Sequence, residues 1–122
     1  MINLHKKIGH TVTEDEVWRV VSFRCNQTKE EILANRKCQK PEYVLTRMIL
    51  MILLNRASNF TITETCAKFM KNHSAVYHSI KTVKDLCDTD MKVRELVSNI
   101  LKDLQLADNF VHKIKIRAYE LN

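Results

Sequence analysis

Apolar residues first settle into a helical rhythm at Val17, Trp18, Val20 and Val21, a stripe that reaches about Cys25 and starts behind Thr13 and Glu16. A threonine followed three residues later by glutamate is a capping box, in which each side chain satisfies the other residue's free backbone N–H. The device recurs at Thr28 with Glu31, opening a short helix through Ile32 and Leu33, and at Thr61 with Glu64, opening one that runs to about Phe69. Pro41 suits the first position of a helix, because its missing N–H is not needed there. Over Glu42 to Ala57 the apolar positions Val44, Leu45, Met48, Ile49, Met51, Ile52 and Leu53 cover most sides, so this helix belongs at the centre.

Ser58, Asn59 and Phe60 interrupt the pattern. Met70, Lys71 and Asn72 then separate the Thr61 helix from one spanning roughly His73 to Cys87, and two short helices joined by a tight turn form a helix-turn-helix, here over residues 62–87. Asp88, Thr89 and Asp90 cap a further helix with Val93, Leu96, Val97, Ile100, Leu101 and Leu104 on one face. From Asp108 two patterns compete. Phe110, Ile114, Ala118 and Leu121 fit a helix, whereas Ile114, Ile116 and Ala118 alternate with Lys115 and Arg117 as in an edge strand; helix is the expectation. The architecture expected is an all-α, compact multi-helix domain of about six helices over residues 1–107, followed by a tail of unsettled structure at 108–122.

Composition narrows the function classes. A chain of 122 residues is one domain's worth, and 45% hydrophobic with 28% charged residues is ordinary for a globular protein. One glycine and one proline are too few for the turns of a sandwich or barrel. The single glycine, Gly9, also excludes phosphate-cradling loops, so no nucleotide is expected as cofactor or partner. Cys25, Cys38, Cys66 and Cys87 are spread without a C-x-x-C pair, which points to free thiols in a reducing compartment rather than a zinc site. Met1 to His10 lacks the apolar core of a signal peptide, and the run Met48 to Leu54 is too short to span a membrane, so an intracellular protein is expected.

Candidate chemistry concentrates at Lys71 to Val83, KNHSAVYHSIKTV. A metal site on His73 and His78 is poorly served: five residues apart on a helix they stand about 140° out of register, where paired ligands want a spacing of four. No carboxylate lies between Glu64 and Asp85 to serve as base or to orient a histidine, so neither a metal nor catalysis is expected.

The formal charge of +6 suits an acidic partner such as nucleic acid, and its placement says more than its size. From Thr65 to Lys84 the chain carries Lys68, Lys71, Lys81 and Lys84 without one acid; Arg36, Lys37 and Lys40 precede the central helix and Arg47 lies within it. Lysines and arginines in such segments displace counterions from phosphates. At a recognition helix the first residues meet base edges while later turns pack inward. Lys71, Asn72, His73, Ser74 and Ala75 have the first character, and Val76, Ile80 and Val83 the second. An N-cap asparagine followed by an exposed histidine would look much the same.

The same stretch resembles the C-terminal DNA-binding domain of the bacterial replication initiator DnaA, whose motif Lys71, Asn72, His73, Ser74, Ala75, Val76, His78, Ser79 and Lys81 follow in order. The similarity extends back through Phe69, Glu64 and Ile62 to Arg47, more loosely to Ile32, Leu33, Arg36 and Lys37, and covers roughly Glu14 to Leu104. It implies a DnaA C-terminal, Trp-repressor-like fold. It further implies base contacts in a major groove from Asn72, His73, Ser74 and Ala75, with Lys71 and Arg47 at groove or backbone. The family's basic loop sends an arginine into the minor groove, which falls here among Arg36, Lys37 and Lys40. Three departures stand out: Met70 occupies a shortened turn where the family has two glycines, Asn72 replaces an acidic residue, and Ala75 replaces a threonine. Asparagine pairs best with adenine where aspartate accepts from cytosine, so a different box is implied.

Nothing in these residues resembles the family's ATPase domain. The expected function is therefore sequence-specific binding of double-stranded DNA by a stand-alone, non-enzymatic regulator of replication or transcription, encoded by a phage or mobile element and working in the cytoplasm. The alternative is the same fold reused as a structural or protein-interaction module, for instance in a phage particle, with residues 108–122 docking on a partner or a second copy.

Overall fold

The computed structural model describes residues 12–115. Among them are seven helices and no strand: α1 (Glu14–Cys25), α2 (Lys29–Ala34), α3 (Pro41–Arg56), α4 (Ile62–Phe69), α5 (Ser74–Thr89), α6 (Met91–Asp103) and α7 (Phe110–Lys113). The three threonine–glutamate pairs all close as capping boxes, at Thr13, Thr28 and Thr61. Asp90 is the residue of its trio that caps α6, its carboxylate accepting from the backbone N–H of Lys92 and Val93.

α3 is the hub, packed by α1, α2, α4 and α5. Six consecutive residues, Ile49 to Leu54, are buried, which a helix can do only when neighbours cover it on most sides. α1 reaches α4 as well: the Trp18 ring stacks on fully buried Phe69, centroids 6.0 Å apart, while the indole N–H donates to the Glu14 carboxylate. α6 lies across α1 and α5, fastened to α1 by a two-pronged bridge from Arg24 to Asp103.

The first part of the tail belongs to this core. Val111 is buried, the Lys84 ammonium donates to the Ile114 carbonyl, His112 pairs with Asp88 at 3.0 Å, and Ser98 donates to Asp108. Helix holds only for Phe110–Lys113, and Ile114 is already extended. The later positions of either pattern, Ile116 to Leu121, lie outside the described residues, as do Gly9 and the rest of Met1 to His10. Among the described residues no helix is long and apolar enough to cross a membrane.

Candidate functional site

α4 and α5 form the helix-turn-helix, and the turn between them is built from the backbone up. Met70 takes the left-handed region (φ 56°, ψ 45°), its N–H donating to Ala67 O at 3.3 Å and the Lys71 N–H to Cys66 O at 3.0 Å. Glycine occupies this cap without a steric penalty, whereas an L-residue costs about 1–2 kcal/mol. The methionine turn therefore keeps the usual cap type under strain, and it leaves the Met70 side chain 58% exposed beside the head of α5.

α5 begins at Ser74, with His73 in the cap position at helical angles and giving no side-chain cap. Cys66 of α4 sits beneath that end, its thiol donating to Asn72 O at 3.1 Å. Burial pushes this thiol's pKa up, with the Val76 N–H acting against it. Above, the Ser74 hydroxyl donates to Asn72 Oδ1 at 2.7 Å, and His73 Nε2 lies 3.2 Å from the Thr63 hydroxyl of α4. Asn72 and His73 are exposed, while Lys71, Ser74 and Ala75 are half-buried, so all five expected front residues meet in one turn. Along α5, Val76, Ile80 and Val83 face inward, and so does Ser79, whose hydroxyl donates to Ala75 O. His78, Lys81 and Thr82 face outward.

The basic segment ahead of α3 divides sharply. Lys37 and Lys40 are exposed. Arg36 is half-buried and donates to Lys68 O, the carbonyl near the end of α4. Arg47, expected at a groove or on the backbone, is only 4% exposed: its guanidinium donates to Asn35 O at 3.0 Å and to Cys38 O at 2.8 Å. It thus holds the connector from beneath and is almost wholly withdrawn from solvent. Burial lowers its pKa, with Cys38 acting against that. Lys68 too is engaged, 3.1 Å from the Glu14 carboxylate and 5.1 Å over the Phe60 ring.

Sequence reasoning missed Thr63 and Cys66 as supports of the turn, and His78 and Thr82 as outward members of α5. The last two follow Ser74 at four and eight residues, a spacing that puts them on one stripe. Among the described residues no three of His, Cys, Asp and Glu gather as a metal site. A cleft of about 410 Å³, lined by Asp88, Arg94, Ser98, Asp108 and His112, lies at the other end of α5 and shares no residue with the front.

Over 95 residues, 77% of its length, the chain is 27% identical to the chromosomal replication initiator protein DnaA of Rickettsia canadensis and, equally, to those of Rickettsia massiliae and Rickettsia rickettsii. It spans about a fifth of the length of these curated relatives, 20% of each. No protein-family model matches it, and no solved structure matches it.

Proposed function

We infer from the distant similarity to DnaA, together with the geometry of α4 and α5, that this chain binds double-stranded DNA with a sequence preference. The observation that carries the reading is the exposed polar turn Asn72–His73 at the head of α5, continued by Ser74, His78, Lys81 and Thr82 on one outward stripe. Short polar groups at the first turn of a recognition helix suit base edges in the major groove, and later turns pack inward as Val76, Ile80 and Val83 do.

In this reading Asn72, His73, Ser74 and Ala75 meet bases, Ala75 offering a methyl to a thymine. Lys71 and Lys81 meet phosphates. Lys37 and Lys40 are the exposed cations of the connector and approach the backbone or minor groove in place of Arg36 and Arg47, whose hydrogen bonds are made within the protein. Lys68 keeps at most a secondary share, because Glu14 already neutralises it. The chain then acts by occupying sites, as a regulator of replication or transcription or as a competitor for initiator boxes, in a phage or mobile-element setting and without hydrolysing nucleotide. Use of the fold as a protein-interaction module is less well supported, because the part of the tail at 108–114 is spent on the chain's own α5 and α6.

Selection of bound duplexes from a random pool, followed by sequencing, tests this. The expected outcome is one enriched motif whose binding weakens steeply with salt. A pool that stays unenriched after several rounds rejects the sequence-specific reading.

A further inference from the structure

A cation taken out of water is costly unless its surroundings replace the lost hydration, and a well-packed apolar side chain of similar volume is often as stable or more so. Arg47 is such a cation, and both of its hydrogen bonds go to carbonyls, neither to a carboxylate. Its cost has no evident return in the core, where Leu50, Met51 and Leu54 on the same side of α3 are apolar. What it does secure is the path of the connector. Asn35 caps the end of α2 and its carbonyl also accepts from the Cys38 N–H, so Arg47 grips both ends of one tight turn. The apex of that turn carries Arg36, whose donation to Lys68 O fastens it to the end of α4, and Lys37, which is exposed. Two residues beyond the turn stands exposed Lys40, at the head of α3.

We propose that Arg47 is a positioning residue for DNA binding, its guanidinium setting the connector so that Lys37 and Lys40 lie against the same duplex that the head of α5 reads. Arg47 itself touches no DNA. The proposal rests on the DNA-binding reading above and adds to it the means by which the two cationic features keep a fixed spacing.

The test is a mutant cycle on the full chain, read as the slope of binding to the selected duplex against salt. The double substitution Lys37→Ala with Lys40→Ala should lower that slope by about 2, one for each lost phosphate contact. Arg47→Met, which keeps length and removes the donors, should retain the helical circular-dichroism spectrum and lose most of the same slope. Placed in the Lys37→Ala, Lys40→Ala background, Arg47→Met should cost almost nothing further, because the side chains it positions are gone. Arg47→Lys, able to reach one carbonyl, should recover part of the slope. An equal loss from Arg47→Met in both backgrounds, or no loss in either, overturns the proposal. If Arg47→Met fails to fold, Arg47→Lys is run through the same cycle and judged by the same rule. Absence of salt-dependent binding by the wild-type chain rejects the functional reading instead.

Discussion

Thr63 and His73 stand ten residues apart on either side of the turn, yet their side chains meet at 3.2 Å. The hydroxyl therefore restrains an exposed imidazole, and under the DNA-binding proposal it steadies that ring for a base edge. Thr63→Val keeps the shape and removes the hydroxyl. It should weaken binding to the selected duplex by about 0.5–1.5 kcal/mol, the net worth of one hydrogen bond, and leave random duplex unaffected; competition anisotropy with both duplexes measures the difference. Such support was not legible in the sequence, because no spacing rule links residue 63 to residue 73 across a turn of unknown shape. Arg47 is a different case. Leu50, Met51 and Leu54 follow it at three, four and seven positions along a helix apolar on most sides, so its burial could be read from the same pattern that placed α3 at the centre.

At the level of elements, helix starts were the most readable feature, because a capping box is a local bargain between two side chains and two N–H groups. Helix ends were less so. α1, α4 and α6 all close with a left-handed residue, Asn26, Met70 and Gln105, and only the asparagine is a residue type that tolerates it well. Met70→Gly should relieve the steric penalty and repay part of it as unfolded-state entropy, for a net gain of up to about 1 kcal/mol. Thermal unfolding should show a Tm higher by a few degrees, since about 1 kcal/mol moves Tm by about 4–8 °C in smaller domains and about 2–4 °C in larger ones. A fall in Tm would mean that the methionine side chain contributes packing that its exposure does not suggest. The tail was ambiguous because its apolar residues satisfy both periods. The Lys84, Asp88 and Ser98 contacts that fix its first part come from distant elements.

For the molecule as a whole, the fold class and the front of α5 were available from pattern and resemblance, while the division of the cations into surface and support was not. Of the basic residues expected at DNA, Lys37, Lys40 and Lys81 are exposed, whereas Arg36, Arg47 and Lys68 are bound into the structure. Acid stability is another property of the whole. The Arg24 guanidinium holds the Asp103 carboxylate below the ordinary aspartate pKa. A carboxyl depressed on folding stabilises fully above roughly pH 4 and loses that stabilisation as pH falls through its folded value. Asp103→Asn should therefore lower stability at neutral pH and flatten its loss below pH 4; parallel acid slopes for the two proteins in denaturant titrations would contradict this. Base reading by the head of α5 is the proposal on which the rest depends. It is tested most directly by comparing His73→Ala with Lys81→Ala on selected and random duplexes across a salt series. His73→Ala should lose about 1–3 kcal/mol on the selected duplex alone with its salt slope intact, and Lys81→Ala should weaken both duplexes alike with a slope lower by about 1. Equal, uniform losses from both substitutions would contradict it.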